Sequence, residues 1–405
     1  MSDTPTPDEL ILEILTDPAV IPDPHPLYRR LRELAPLFKT ELTQTWIVSG
    51  FENSRSLLRD PRCGSPMDDD AVASRIALDG SARRPRDPES QPMLFMNPPD
   101  HTRVRGLVSR AFTPRRVERL RPEIAEMTDR LLDSLGGEGD FVDGLAFPLP
   151  ANVISALVGV PEGDRDWLRP LIADLSASIE PTATQEALDV AEVAMAEVRA
   201  YLVDLIATRR ADPRDDLLSG LIEASDGEDR LSENEMLSNV LLIYAAGFET
   251  TTHLLGNMVR TFVANPVQLQ RVRNDPSLIP AAVEEVLRYD PPVQIDGRFV
   301  FDDIDIDGVT IEKGSSLVTL LAGANRDPAV CDDPESFVVG RADSQILSFG
   351  SGIHFCLGAA LARLEAQVVL ERLIDRYECW EITAEPIWRP RITIRGVERL
   401  DVRFT

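Results

Sequence analysis

The sequence predicts a mainly α protein with small β-sheets, and the spacing of its apolar residues is the main reason. Side chains that recur three and four positions apart, as on one face of a helix, run through four segments: 124–135, 188–209, 232–263 and 359–377. Alternating or β-branched runs, which are typical of short strands, occur in three places: 38–48, 299–321 and 380–404. A composition of 43% hydrophobic and 27% charged residues allows a large core and excludes a disordered chain.

The 405-residue chain shows no internal repeat with a period of roughly 20 to 50 residues and no Gly/Ser-rich linker. We therefore expect an N-terminal extension, 1–24, followed by a single domain, 25–405. The least regular stretch is 63–97, where prolines and runs of like charge predict a long loop of the kind that usually either forms a lid or is disordered.

The charge balance limits the class of partner. Lys and Arg number 42 and Asp and Glu number 68, so the net charge of -26 repels nucleic acid and anionic membranes over most of the surface. The first twenty residues hold five acids and no Lys or Arg, which is the opposite of a secretory signal. The longest uncharged stretches, 144–161 and 344–362, are interrupted by proline or glycine, so neither is expected to span a membrane. These features predict a cytoplasmic protein that binds neither nucleic acid nor membrane.

The longest predicted helix has well-marked ends. Ser232 and Glu235 form a capping box at its start, and Asn265 followed by proline marks its end. About 30 residues of helix would be roughly 45 Å long, enough to cross the molecule. Its middle is apolar on all sides, so the helix is expected to be buried. Gly247 and the threonines at 250–252 predict a local opening of its hydrogen-bond ladder, because a threonine hydroxyl can bond to the carbonyl four residues earlier.

The strongest chemical signal is the string Phe-Gly-Ser-Gly-Ile-His-Phe-Cys-Leu-Gly at 349–358, directly before the last predicted helix. A cysteine at a helix start faces unpaired N–H groups and the positive end of the helix dipole, which favours a thiolate that can bind a metal. The string resembles the haem-ligand loop of the cytochrome P450 family, Phe-x-x-Gly-x-x-x-Cys-x-Gly. The matching positions are Phe349, Gly352, Cys356 and Gly358.

This resemblance implies that haem b, iron protoporphyrin IX, is the cofactor and that Cys356 is its axial ligand. The other cysteines, Cys63, Cys331 and Cys379, are widely spaced and form no CxxC pair, which disfavours a zinc site or a disulfide framework. We interpret them as structural.

A second match lies in the middle of the long helix. The residues Ala246, Gly247, Phe248, Glu249 and Thr250 resemble the family's oxygen-activation motif. The resemblance implies that the opened turn makes room for dioxygen and water, that Thr250 hydrogen-bonds the oxygen and that Glu249 relays protons. On its own, a Glu-Thr pair in a helix is more often solvent-facing or a kink, and the haem loop is what favours the catalytic interpretation.

A third match is Glu285-Val286-Leu287-Arg288, the family's Glu-x-x-Arg signature. Three positions apart on a helix, these side chains would ordinarily form a weak surface pair. The resemblance implies instead a buried pair, completed by a basic residue before the haem loop, for which Arg341 is the candidate. Its role would be structural, holding the loop that presents Cys356. The chain departs from many relatives at Ser336, where they carry arginine.

Four further residues resemble the family's haem-propionate partners. His101 and Arg105 share one helix face and suit an anion, and the resemblance adds Arg298 and His354 from the strand and loop sides. Standing alone, each would be a solvated surface charge. We expect the other two histidines, His25 and His253, to have packing or capping roles.

The segment from His101 to Arg121 contains seven arginines and only one acidic residue, Glu118. They occupy positions 103, 105, 110, 115, 116, 119 and 121. This basic patch is either a partly paired helical surface or a docking surface for an acidic iron-sulfur protein, since opposite potentials steer encounter.

Taken together, the resemblance covers about 25–405 and implies the cytochrome P450 fold, with a long central helix over the haem. It implies a monooxygenase that inserts one oxygen atom from O2 into a largely apolar small molecule by hydroxylation or epoxidation. A thiolate ligand favours O–O cleavage. Electrons would come from a ferredoxin and a ferredoxin reductase, because the chain shows no anchor and no flavin domain.

The substrate would contact the loop 63–97 and residues that are mostly aliphatic, so an apolar substrate is expected: Leu242, Ile243, Val293, Gln294, Ile295, Ile392 and Thr393. Sterols, terpenoids, fatty acids, aromatics and polyketides all stay open. The alternatives are a peroxide-driven or oxidative-coupling enzyme on the same scaffold, a haem-binding protein without turnover, and a haem-free helical scaffold. The intact Glu249-Thr250 pair favours the monooxygenase.

Overall fold

The computed structural model describes residues 5–65, 91–110, 112–177, 184–225, 231–342 and 345–405. Most of the predicted loop 63–97 therefore lies outside the described residues. Within them, sixteen α-helices carry the architecture: α1 (Pro7–Thr16), α2 (His25–Leu34), α3 (Phe51–Arg59), α4 (Asp100–Ser109), α5 (Pro114–Glu118), α6 (Arg121–Leu135), α7 (Pro148–Val158), α8 (Glu162–Ala177), α9 (Gln185–Ala211), α10 (Leu217–Ser225), α11 (Glu233–Ala246), α12 (Glu249–Ala264), α13 (Pro266–Asn274), α14 (Ile279–Tyr289), α15 (Leu321–Ala324) and α16 (Ala359–Arg376).

Short strands form small sheets beside the helices, as the alternating segments predict. They are β1 (Leu37–Lys39), β2 (Trp46–Val48), β3 (Cys63–Gly64), β4 (Glu138–Asp140), β5 (Asp296–Val300), β6 (Ile304–Ile306), β7 (Val309–Ile311), β8 (Ser316–Thr319), β9 (Trp380–Ile382), β10 (Ile387–Trp388), β11 (Val397–Arg399) and β12 (Asp401–Phe404). The largest sheet has the order β1-β2-β8-β5-β3, with β2 and β8 parallel. A second sheet has the order β4-β12-β9, and β6-β7 and β10-β11 are two-stranded.

The predicted long central helix is present as two helices, α11 and α12, which are separated at Gly247 and Phe248. The capping box at Ser232 and Glu235 is formed as expected. At the break, the Gly247 N–H reaches only Tyr244 O, at 3.4 Å. A Cβ on Gly247 would lie 2.7 Å from the side chain of Ile154 in α7, so glycine lets α7 approach this turn closely. Where the sequence predicts a local opening of one helix, the structure thus has the end of α11 and the start of α12.

The main hydrophobic core lies between α6, α12, α14 and α16, and its largest members include Leu132, Phe262 and Leu370. Each such buried side chain contributes roughly 1.5–3 kcal/mol. A second cluster joins α7, α8, α9 and α11. In the N-terminal segment 1–24, α1 buries Leu10 against a third cluster that also contains Ile392. The core therefore fixes α12 and α16, the helices that carry the predicted oxygen motif and follow the predicted haem loop.

No single helix in the described part of the chain is both long and apolar enough to cross a bilayer. One sharply bent pair, Val142–Val158 with Glu162–Leu175, meets the length and composition requirement at an angle of 117°.

Glu365 on α16 is buried, at 1% exposure, and its Oε2 has no hydrogen-bond partner among the described residues. Burial raises its pKa well above the usual value. Because the folded state then binds the proton more tightly than the unfolded chain, stability is full below the unfolded pKa of about 4.3 and falls as the pH rises toward the folded pKa.

Replacing Glu365 with glutamine should therefore increase the melting temperature more at pH 8 than at pH 6. The free-energy difference is expected to grow by up to about 1.4 kcal/mol per pH unit between the two pKa values. Thermal unfolding of the haem-loaded protein at both pH values measures it. Asp375→Asn, at an exposed position of the same helix, is the control. Equal shifts at both pH values would contradict the assignment.

Candidate active site

The predicted haem loop is a tight turn that leads directly into α16. Gly350 and Gly352 have φ angles of 70° and 72°, in the left-handed region that favours glycine. The Cys356 N–H donates to Phe349 O at 2.9 Å, which closes the loop. A Cβ on Gly352 would lie 2.4 Å from Leu58 O, so only glycine allows α3 to approach here. Gly352, one of the fixed positions of the motif, is therefore glycine both for its left-handed φ angle and for this close approach.

Cys356 is accessible to solvent at the end of this loop, directly before α16. Burial raises the pKa of its thiol, while the N–H groups of Gly358 and Ala359 and the charges of Arg105 and Arg363 act in the opposite direction. The N–H groups at the helix start act in the direction that the sequence predicts, but burial outweighs them. A metal ion at the sulfur would remove the proton outright.

The four predicted propionate partners lie together beside this loop. The rings of His101 and His354 are 4.4 Å apart, and Arg105 donates to Phe355 O. Arg298 is bonded to Asp296 and to Gly297 O. Burial, followed by Arg105, lowers the pKa of His101 to about 4, and burial, followed by Arg298, His101 and Arg105, lowers the pKa of His354 to about 3. Both imidazoles are therefore neutral near pH 7, and the positive charge beside the loop comes from Arg105 and Arg298.

The central helices expose one narrow face. Leu242 and Thr250 are half-buried and Ala246 is exposed, although most of their neighbours are buried. Their spacing of four residues places them on one side of the helix. The Thr250 hydroxyl donates to Ala246 O at 3.2 Å, which bridges the break at Gly247. An accessible hydroxyl is thereby fixed beside an opened turn.

Glu249 is buried at the start of α12. Its Oε1 accepts hydrogen bonds from Arg389 and Arg391, each at 2.7 Å. His253, one turn along, places Nε2 3.8 Å from the same oxygen. The sequence indicated the acid, gave His253 only a packing or capping role, and missed both arginines. The high arginine content of 389–395 was the available signal.

The Glu285-Arg288 pair is buried, with two hydrogen bonds of 2.8 Å between the side chains. Arg341 Nε lies 3.1 Å from Glu285 Oε1, and the N–H of Val338 donates to the same oxygen. Arg288 and Arg341 both donate to Ser336 O. Ser336, where many relatives carry arginine, therefore takes part in this group through its backbone carbonyl.

Asn325 and Ser348 connect this group to the haem loop, and sequence reasoning missed both. Asn325 Nδ2 donates to Ser348 Oγ at 2.7 Å, and the Leu347 N–H donates to Asn325 Oδ1 at 2.6 Å. Ser348 Oγ in turn donates to Leu287 O on α14 at 2.6 Å. No motif marks these positions, because their role depends on three segments that meet only in the fold.

The predicted pocket residues fall into two groups. Leu242, Val293, Ile295 and Thr393 are half-buried, and three of them pack partly against separate clusters. Ile243, Gln294 and Ile392 are buried. Gln294 is a connector, because its N–H donates to Thr393 O and its Nε2 donates to Pro291 O. The 66–90 part of the loop predicted to contact substrate lies outside the described residues.

The residues fit haem. His101 Nε2 and His354 Nε2 are buried without a hydrogen-bond partner in the described part of the chain, so both can donate to an anion. Arg105 supplies a fixed positive charge next to Cys356. A flat dianionic group that carries a metal would satisfy these donors and the thiol together.

A family model described as Cytochrome P450 matches residues 179–394. The chain is 42% identical over 399 residues to "Cytochrome P450 107B1" of Saccharopolyspora erythraea, with 96% of each protein covered. It is 39% identical over 389 residues to the "Vitamin D(3) 25-hydroxylase" of Pseudonocardia autotrophica, covering 94% of this chain and 93% of that protein. Among solved structures, ligand-free CYP164A2 of Mycobacterium smegmatis matches with a TM-score of 0.88 and 38% identity, covering 98% of this chain and 100% of the other.

The matches extend over nearly the whole chain at identities well above 30%, and the fold is the same. The chain therefore belongs to the cytochrome P450 family, as a bacterial monooxygenase whose cofactor is haem b.

Proposed function

We propose that this monooxygenase inserts one oxygen atom of O2 into a largely apolar small molecule, with Cys356 as the iron ligand. The observation that carries the proposal is the accessible Cys356 at the start of α16, beside Arg105 and two histidine nitrogens that have no hydrogen-bond partner among the described residues. The proposed functional domain is 25–405, with α1 packed on it. The similarity to a protein named as a hydroxylase supports hydroxylation over coupling.

When bound, the haem supplies the activation of O2, and its thiolate ligand favours O–O cleavage. The chain's own residues do the rest. His101, Arg105, Arg298 and His354 would hold the propionates, and the loop at 349–358 would present Cys356 to the iron. Glu285, Arg288 and Arg341 would hold that loop in place. The gap at Ala246 and Gly247 would admit dioxygen and water, with Thr250 as hydrogen-bond donor and Glu249 as proton relay.

Conversion of a substrate by the haem-loaded protein under isotopically labelled dioxygen tests the function. A panel of sterols, terpenoids, fatty acids, aromatics and polyketides is first screened for the low-to-high-spin shift. Compounds that shift are then incubated with NADPH, a ferredoxin and its reductase. Products that carry one labelled oxygen are expected. Turnover that proceeds only with hydrogen peroxide would favour the peroxide-driven alternative.

Replacing Thr250 with alanine should leave haem binding intact and uncouple the enzyme. The variant loses the hydroxyl that donates beside the break, so dioxygen is reduced without productive proton delivery. Loss of one such positioned donor costs roughly 100- to 1000-fold in the chemical step. Hydrogen peroxide released per NADPH consumed measures the effect. Thr252→Ala, whose buried hydroxyl donates to Phe248 O at 3.0 Å, is the control. An unchanged ratio would remove Thr250 from the mechanism.

A ferredoxin is the proposed electron donor, and the basic patch of 103–121 is its proposed docking surface. Three of the seven arginines are exposed and form no ion pair with a described residue: Arg110, Arg115 and Arg119. Others are partly neutralised, such as Arg116 by Asp215. The patch therefore keeps a positive surface that suits an acidic partner.

Reversing Arg110 and Arg119 to glutamate should slow electron transfer from the ferredoxin about tenfold or more at low ionic strength, since complementary charge accelerates association by 10-fold to 1000-fold. Stopped-flow reduction of the iron under carbon monoxide gives the rate. Arg30→Glu, which changes an exposed arginine on α2, is the matched control. Rates for the unaltered protein should also fall as salt is added, because screening weakens steering. A rate that stays flat with salt would contradict docking here.

A further inference from the structure

Two arginines of the C-terminal hairpin (387–399) hold the Glu249 carboxylate. Nη1 of Arg389 and Nη1 of Arg391 both lie 2.7 Å from Oε1. The Glu249 side chain is 4% exposed, whereas the two arginine side chains are 21% and 19% exposed. The proposed relay acid is thus fixed by groups that reach it from the solvent side.

The two oxygens of this carboxylate have different surroundings. Oε1 accepts from both arginines, while Oε2 is buried with no hydrogen-bond partner among the described residues. Leaving a buried acceptor unpaired costs free energy. Oε2 is therefore the oxygen that can take a bond from a water molecule or a proton donor.

The hairpin is held tightly against α12, so the arginines have little freedom to move. A Cβ on Gly396 would lie 2.0 Å from His253 Nδ1, which shows how closely the two segments pack. Within the hairpin, the Arg389 N–H donates to Gly396 O at 3.2 Å. The hairpin is also joined to the segment after α14, where the Arg395 N–H donates to Pro292 O at 2.8 Å.

The charges nearby favour the ionised acid. Burial alone would raise the pKa of Glu249, but His253 and the guanidinium groups of Arg391 and Arg389 outweigh it and hold the pKa at about 2. Burial lowers the pKa of His253, so this imidazole is neutral near pH 7. The two arginines are then the positive charges that compensate the carboxylate.

We propose that Arg389 and Arg391 are positioning residues for proton delivery: they fix Oε1 of Glu249 and leave Oε2 to exchange protons with water. In each turnover Oε2 takes up one proton, which bulk solvent supplies through a water molecule, and releases one proton to the Thr250 hydroxyl, which passes one on to the reduced dioxygen. The water, the carboxylate and the hydroxyl all end as they began. The inference rests on the proposed relay function of Glu249.

The test is the pH profile of NADPH oxidation by the holoenzyme with a plant-type ferredoxin and its reductase, without added substrate. We expect less than about a twofold change between pH 6 and pH 8 for the unaltered protein. The Arg389→Gln/Arg391→Gln variant should show a new ionisation in this range. Its rate should fall with decreasing pH, approaching about tenfold per pH unit below the new pKa. The single variant Arg391→Lys keeps a positive charge beside Glu249, so it should retain most of the flat profile of the unaltered protein.

Arg399→Gln is the matched control, because Arg399 lies on the same hairpin but pairs with Asp401 at the surface. If the double variant has the same flat profile as this control, the two arginines only anchor the hairpin and the proposal is overturned. Should the double variant lose haem, Arg389→Gln and Arg391→Gln are compared singly, with the same ionisation expected.

Glu249→Gln separates this inference from the proposed function. If it leaves NADPH oxidation and peroxide release unchanged, the relay function itself fails. If it changes them while the arginine variants behave like Arg399→Gln, only the positioning role fails. In the Glu249→Gln background, the arginine substitutions should add no further pH dependence, because the titrating group is gone.

Discussion

Replacing Cys356 with serine should abolish the reduced carbon monoxide band from which the family takes its name, and product formation with it. A serine hydroxyl ionises far less readily than a thiol, and the Cys356 site already disfavours the anion through burial. Removing a group that hydrogen-bonds a metal ligand typically lowers metal affinity or activity roughly 10- to 100-fold. Removing the ligand itself should therefore lower activity by at least about 100-fold.

Absorption spectra of the reduced, carbon monoxide-treated variant measure this effect. Cys379→Ser is the control, since Cys379 is an exposed cysteine that lies after the C-terminal end of α16, whereas the haem loop precedes its start. It should keep the band at full intensity. Survival of the band in Cys356→Ser would mean that another residue holds the iron.

Replacing Arg288 with methionine should destabilise the protein by about 3–5 kcal/mol, because it breaks a buried ion pair. Glu285 would keep Arg341 and the Val338 N–H, but it would lose two hydrogen bonds of 2.8 Å. Arg288 also donates to Pro334 O and Ser336 O, so the segment before the haem loop would lose its anchor. Haem loss should accompany the drop in stability.

Denaturant unfolding and haem retention on gel filtration measure both effects. Arg403→Met removes an exposed arginine that pairs with Glu138 at the surface, and it should change neither. Arg288→Lys should behave like Arg288→Met rather than the parent, because a lysine cannot reproduce the fork of bonds to Glu285. A stable, haem-loaded Arg288→Met protein would refute the structural role.

Much of the fold follows from local sequence patterns. The helices α6, α9 and α16 lie where apolar spacing predicts them, because each buries one continuous face. The central helix is the instructive difference. Gly247 and the threonines predicted an opening, but its completeness depends on the close packing of Ile154 from α7, which no local pattern records.

The site residues also differ in whether a local sequence pattern indicates them. Cys356, Glu285 and His101 belong to motifs of nearby residues, so the sequence could indicate them. Arg389 and Arg391 meet Glu249 only after about 140 intervening residues have folded, as their sequence separations of 140 and 142 show. Such contacts depend on tertiary packing, for which a single sequence carries no periodic signal.

The most direct test of the central claim is the haem content and reduced carbon monoxide spectrum of the purified protein, expressed with adequate haem supply. The account predicts one haem per chain and the family's characteristic band. A folded, colourless protein that takes up no haem on reconstitution would contradict it.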